Sequence, residues 1–425
     1  MKICIVTTRH ISYNPRVLKE ADALHSHGYN VTVVTVNNNS QQHHFDKELM
    51  QDRKWTLRTV SFRKEVKEER PYWRWLSVQQ KIYSGLAKFS FRFNIAERAA
   101  LKGYSALAKL AAQQRADFYI AHHAEALGVT AAAAKAAGVS FGFDAEDFHT
   151  GMNESGEVGA EEAMLTYLEA KYLPRCQYIT TASKGIGEAY EKKYRLKKTT
   201  TVLNVFPKEL AIRNEVNSPV RFYWYSQVIG PNRSLETLLE AASQITAPFE
   251  LHLRGAYHND AYKKQLQNLI NTKGLTGKVF IHPPILAELI ISDAATFDIG
   301  LALETDVSVN RDICVTNKIF SYLMAGLAIV GTNTYGQKDI FAHFPAAVHS
   351  CAQNDADSMA AAMLFFIQNP QKLSAAKTAA RNAAEKQFNW ETESQKLIQV
   401  IEKIKPFTHR KGVPSSREEI KTRIV

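Results

Sequence analysis

Short β-branched runs alternate with amphipathic stretches along this chain, and the alternation breaks once, at residues 204–219. The opening unit shows the pattern: "KICIVTT", then "NPRVLKEADALHSHGY", then "NVTVVTV". In the middle piece Val17, Leu18, Ala21 and Leu24 share one helical face, and Gly28 stops it. The last piece is a continuous apolar run of the kind buried on both faces of a parallel sheet. Strand, helix, strand in that order requires a crossover and defines a βαβ unit. "DFYIAHH", a helix over 124–137, "SFGFDAE", a helical 157–175 and "YITTAS" continue the series.

At "NVFPKELAIRNEVNSP" prolines and polar residues predict a linker. Alternation restarts with "VRFYWYS", "FELHLRG", "KVFIHPP", "DIGLAL" and "LAIVGT", with helices over 234–244, 260–272, 286–295 and the segment after Thr316. The expected fold class is α/β, with two Rossmann-like, doubly wound parallel-sheet domains facing a cleft. The predicted boundaries are 1–205, 206–385, a helix over 386–405 packing back on the first domain, and a loose basic tail over 406–425. A length of 425 residues agrees with two cores.

No run of about 18 uncharged apolar residues is present to span a bilayer. "MKICIVTT" enters a strand without the pattern of a secretory leader. Cys4, Cys176, Cys314 and Cys351 lack metal-ligand spacing and read as reduced thiols. These features lead to an expected cytoplasmic location, either free or peripheral on the cytoplasmic face of the inner membrane.

Several chemistries lack their motif. No G-x-G-x-x-G follows the first strand, and "SKGIGEAY" places Tyr190 where a third glycine belongs. Walker A, H-E-x-x-H and G-x-S-x-G segments are absent too. What remains is a set of residues at strand carboxyl ends, where open α/β sheets bind ligands. In the second half these are Arg233, Gly255, Glu304 and the triplet Thr316, Asn317, Lys318. Ser234 and Thr316 are expected N-caps, and Gly326 an expected stop. Two helix starts, each beside a cation, suit a diphosphate.

The ordered words "NPRVLKEADALHSHGYNVTVVT", "DFYIAHHAEAL", "FDAEDFH", "YITTASKGIGEAY", "YSQVIGPNRSLETLLEA", "DIGLALE" and "TNKIFSYLMAGLAIVGT" resemble a GT-B glycosyltransferase of family 4 type, over roughly residues 1–405. The resemblance implies transfer of a sugar from a nucleotide-diphosphate sugar to a glycan or lipid-linked acceptor. It further implies retained configuration, no metal and no other cofactor, and a role in cell-surface polysaccharide or glycolipid biosynthesis. Carried over, Arg233 contacts the donor diphosphate, and Lys318 lies beside the nucleotide with Thr316, Asn317, Gly255 and Glu304. His122, Asp144 and Glu146 take catalytic positions. Asn14, Arg16, Asp147 and His149 face the acceptor. Two departures stand out. The family's paired glutamates fall on Ile313 and Ser321, leaving Ser321 as a neutral ribose partner, and its Gly-Arg pair reads Gln227-Val228.

Net charge is +11, and it is uneven: residues 53–104 hold 13 Lys and Arg against 4 Glu. Within that stretch Ile82, Leu86, Phe89 and Phe93 form an apolar stripe, with Arg74, Lys81, Lys88 and Arg92 about 100° around the helix. One reading is a core-facing helix with a solvated basic face. The other is attachment to an anionic membrane surface. The charge also raises a nucleic-acid binder, but no reading motif supports one. A sugar-nucleotide epimerase of related architecture and a donor-binding protein with a degenerate site are the remaining alternatives.

Overall fold

In the computed structural model the β-branched runs form two all-parallel sheets, described over residues 1–154, 158–209 and 215–404. The first contains β1 (Lys2–Val6), β2 (Asn30–Asn37), β3 (Thr56–Ser61), β4 (Phe118–His122), β5 (Phe141–Ala145), β6 (Ile179–Thr181) and β7 (Thr200–Thr201). Their order is β3-β2-β1-β4-β5-β6-β7. The second contains β8 (Val220–Ile229), β9 (Phe249–Tyr257), β10 (Val279–His282), β11 (Ile299–Ala302), β12 (Ala328–Thr332) and β13 (Val348–Cys351). Their order is β10-β9-β8-β11-β12-β13. Strand order reverses between β1 and β4 and again between β8 and β11. Loops at those two points diverge from the sheet and leave a crevice at the strand carboxyl ends.

Buried faces match the sequence pattern. Helix Pro15–Ser26 buries Val17, Leu18, Ala21 and Leu24, and Asn14 caps it by accepting from the Val17 N–H. One apolar cluster joins this helix to Ile319, Phe320 and Leu323 of the second sheet's helix Asn317–Ala325 and to Leu397, Ile398 and Ile401 of helix Trp390–Glu402. Glu393 of that last helix accepts from the Leu203 N–H at 2.8 Å. Lys19 Nζ holds the departing chain through Asn204 Oδ1 and the Val205 carbonyl, both at 2.6 Å. The expected tail over 406–425 lies outside the described residues.

Gly185 and Gly187 of "SKGIGEAY" serve close packing. A Cβ on Gly185 would stand 2.7 Å from the Ile313 carbonyl oxygen, and one on Gly187 would stand 2.4 Å from Thr199 Oγ1. The first contact lets Ser183 Oγ donate to that Ile313 carbonyl, tying the two lobes.

One expectation fails on a helix face. The stripe Ile82, Leu86, Phe89, Phe93 does not enter the core; all four residues are exposed. Helix Arg70–Ala87 docks instead through Leu76, and Phe91 packs on Tyr167.

Candidate active site

Three contacts set the carboxyl ends of the two sheets against each other. Asn310 Nδ2 donates to Asp147 Oδ1 at 3.1 Å, and the Phe148 N–H donates to Asn310 Oδ1 at 2.7 Å. Asn232 Nδ2 donates to Glu154 Oε2 at 2.9 Å. Asp147 was expected at the acceptor, but its side chain is part of this bridge.

The second lobe supplies a cationic pocket. After β8 the chain turns sharply: Asn232 and Ser234 both adopt left-handed backbone, at φ 57° and 56°. That turn presents Arg233 at the start of helix Leu235–Ser243. Ser234 stands at the N-cap position, but its buried hydroxyl has no partner among the described residues and does not cap the helix. Arg233 is half-buried, and no hydrogen bond or ion pair holds its guanidinium among the described residues. Burial, then the like charge of Arg311, lowers its pKa. Arg311 itself donates to the Asn232 carbonyl at 2.6 Å.

Glu304, just past β11, sits among these cations and pairs with Lys318 Nζ at 2.6 Å. Burial opposes its ionisation, but Lys318, Arg311 and Arg233 prevail and hold it at about 2. Lys318 also lies over the Trp224 ring, 5.8 Å from its centroid. Thr316 begins helix Asn317–Ala325 without a side-chain cap, and Asn317 is exposed beside it. Thr305 Oγ1 is a further buried hydroxyl without a partner among the described residues. Gly255 permits the β8 bulge: a Cβ there would stand 2.4 Å from the Ser226 carbonyl oxygen. Ser321 does not face this pocket. It is buried beneath the helix, hydrogen-bonded to Tyr225 Oη at 2.8 Å and to the Lys318 carbonyl at 2.8 Å, with no surface for a ribose.

The first lobe holds a buried charge cluster. Arg16 donates twice to Asp144, at 2.6 and 2.8 Å, and once to the Val202 carbonyl at 2.8 Å. Thr180 donates to Asp144 Oδ2 at 2.6 Å. His122 Nε2 meets Glu20 Oε2 at 2.6 Å, and Nδ1 lies 3.4 Å from Glu146 Oε1. Asn14, Arg16, His122 and Asp144 are all buried, so none of these four expected contact residues presents its side chain at the surface. For Arg16, His122 and Asp144 the reason is electrostatic, since each charge already has a partner inside the lobe, and Asn14 is held by capping helix Pro15–Ser26. Ligand atoms of His122, Asp144 and Glu146 approach within 4.8 Å of one another. Arg16 engages both oxygens of Asp144, and Glu20 and Glu146 hold the His122 ring protonated on both nitrogens, so these groups are arranged as ion pairs and do not fit a metal.

Glu146 is the member that reaches the surface, its side chain 22% exposed. Burial opposes its charge, but bonding to His122 outweighs this and holds it ionised, at about 2. The neighbouring His123 takes a left-handed backbone at φ 68° and turns away from Glu20 towards Thr7, 3.4 Å from its Oγ1. Burial lowers His123 to about 3, against the pull of Glu146, leaving it neutral. Its ring lies 6.2 Å from that of His149. His149 lines a cavity of about 380 Å³ with Met152, Asn153, Glu161 and Glu162. Behind it Glu169, buried, accepts from Tyr190 at 2.9 Å and Tyr194 at 2.6 Å.

Sequence reasoning missed Arg311, Asn310 and Glu20. Arg311 and Asn310 lie on a five-residue helix, Val309–Ile313, too short to show periodicity. The available signal was Ser308 as N-cap, which accepts from the Arg311 N–H.

His122 gives a pH prediction. Burial disfavours its charge, but Glu20, Glu146 and Asp144 raise it to about 10 from 6.5. A raised value stabilises the fold below the unfolded pKa and loses that stability as pH climbs through the folded one. Lys19, lowered by burial and Arg16 to about 7, contributes the opposite slope. The difference between wild type and His122→Gln in urea denaturation should therefore shrink steadily from pH 6.5 to 10.

No family model and no curated relative matches the sequence. Solved structures do match it in shape. Anabaena Alr3699/HepE in complex with UDP superposes at a TM-score of 0.68 with 13% identity, covering 95% of this chain and 100% of that one. Sucrose-phosphate synthase from Thermosynechococcus elongatus gives 0.66 with 15% identity, covering 95% and 98%. A glycosyltransferase from Rickettsia africae gives 0.67 with 12% identity, covering 95% and 99%. Two all-parallel sheets, their carboxyl ends opposed, and alignment along nearly the whole length of these enzymes make this a chain of the GT-B fold.

Proposed function

We propose that the protein is a glycosyltransferase that moves a sugar from a nucleotide-diphosphate sugar to a glycan or lipid-linked acceptor. The observation that carries this is Arg233: a half-buried guanidinium without a hydrogen-bond or ion-pair partner among the described residues, beside Arg311 and sharing Glu304 with Lys318. An arrangement of like charges with one buried carboxylate among them is incomplete without an anion. The unpartnered hydroxyls of Ser234 and Thr305 lie in the flanking loops. A diphosphate supplies both the charge and the acceptor oxygens such groups lack. The UDP bound to the Anabaena protein makes uracil the first base to try.

In this reading Arg233 and Arg311 neutralise the diphosphate as the sugar departs, and Lys318 keeps Glu304 ionised and the helix start in place. Protein cations bear the leaving-group charge, so transfer proceeds without a metal. Glu146 and His149 receive the acceptor on the opposite lobe. The sugar is transferred with retention, in cell-surface polysaccharide or glycolipid assembly.

Thermal-shift measurements against UDP-, GDP-, ADP- and TDP-sugars test the reading. One nucleotide should raise the melting temperature saturably. A flat response to all four would overturn the proposal. Conversion of a donor without any acceptor would replace it with epimerisation, and binding without transfer would leave a donor-binding protein.

A further inference from the structure

Helix Arg70–Ala87 has three faces, and the fold uses only one of them. Leu76 and Trp73 point inward, where Trp73 is bracketed by Lys64 and Lys102, at 5.3 and 4.7 Å from its ring centroid. A second face carries Trp75, Val78, Ile82 and Leu86 at three- and four-residue spacing, and all are exposed. The row continues past the helix end into Phe89 and Phe93, which are 88% and 90% exposed. Phe91 between them is turned inward on Tyr167, at 5.3 Å, and Phe93 and Asn94 take left-handed backbone. Phe89 before that turn and Phe93 on it both face solvent. The third face carries Arg70, Arg74, Lys81 and Lys88, with Arg92 beyond.

We propose that this helix and the 88–93 tip form a docking surface for an anionic lipid bilayer. Three observations select a bilayer. First, the exposed row is one residue wide and about 20 residues long, including two almost fully solvated phenylalanines; a helix lying in an interface buries such a row lengthwise. Second, the basic face runs parallel to the row, about 100° around the axis, where headgroups lie when the apolar row is immersed. Third, most of the chain's +11 charge belongs to this segment, which holds 13 Lys and Arg against 4 Glu over residues 53–104. That excess would repel a second copy of the same surface, and it favours an acidic one. Trp75, stacked with Tyr72 at 5.8 Å, stands at the start of the row, a residue type suited to the headgroup level. No helix of the described residues is long and apolar enough to cross a membrane, so attachment here is to one leaflet. The surface lies apart from the cationic pocket, and this inference does not rest on the proposed transfer reaction.

The test is flotation of the full chain with vesicles of phosphatidylcholine containing 30% phosphatidylglycerol, and with phosphatidylcholine alone, at low and high salt. Wild-type protein should float with the anionic vesicles, and partitioning should fall at least about ten-fold at 0.5 M salt or without phosphatidylglycerol. Phe89→Ser/Phe93→Ser should lower partitioning about ten-fold or more, and Lys81→Glu/Lys88→Glu similarly. All four positions are exposed, so melting temperature should be unchanged. Absence of flotation, flotation unaffected by both pairs, or a dimer in sedimentation velocity that Phe89→Ser/Phe93→Ser dissociates in a chain that does not bind vesicles would overturn the proposal.

Discussion

Arg233→Ala is expected to slow sugar transfer about 100-fold, equivalent to ~3 kcal/mol of barrier, while leaving the fold intact. The two halves of that expectation have separate causes. Stability is spared because the Arg233 guanidinium has no hydrogen bond or ion pair to lose among the described residues. Removing it also relieves the like charge of Arg311. Turnover suffers because negative charge grows on the leaving diphosphate, and a preorganised cation in a half-buried site stabilises it more than water does. Steady-state rates alongside melting curves check both halves. A variant with wild-type turnover would remove Arg233 from the mechanism, and one that fails to fold would make it structural. Arg233→Lys should recover only part of the rate, since a lysine lacks the planar fork that meets two phosphate oxygens.

The largest expected loss of stability lies in the other lobe, at Asp144→Ala. Both carboxylate oxygens are engaged by Arg16, and both residues are buried. Truncating one partner leaves the guanidinium charged and largely uncompensated, at a cost of about 3–5 kcal/mol. Glu20 and Glu146 lie within electrostatic reach of Arg16, which favours the lower end of that range. A double replacement, Arg16→Met with Asp144→Leu, removes both charges and should recover much of the loss. Urea denaturation of the three proteins measures this. A single variant within about 1 kcal/mol of wild type would mean that the pair is not the anchor of the first lobe that its geometry indicates.

Why some of this was legible in the sequence, and some not, follows from how each residue acts. Parallel strands were readable because burial on both faces demands unbroken β-branched runs, as in "NVTVVTV". β3 (Thr56–Ser61) was not, because its residues are only half-buried or exposed and lack that signature. That Arg233 and Lys318 gather around Glu304 was readable by position, since both follow strand carboxyl ends of one sheet. The histidine pair was not decidable. His122 and His123 are adjacent, and which of them turns inward depends on Glu20, a residue on another element 102 positions away. The same limit applies to Arg16 and Asp144. Charged residues at a strand end and a helix start suggest contact with substrate until their mutual distance is known. Ser321 illustrates a third case. Its alignment position suggested a ribose contact, but a side chain as short as serine stays beneath the helix, where the Tyr225 hydroxyl reaches it.

Calorimetric titration of UDP into wild-type protein, Arg233→Ala and Arg311→Ala asks whether the cationic pocket holds a diphosphate. Binding to wild type should be saturable and weaken as salt rises, and each variant should bind at least about ten-fold more weakly, the loss of one charge-assisted contact. Binding of equal strength to all three proteins would contradict it.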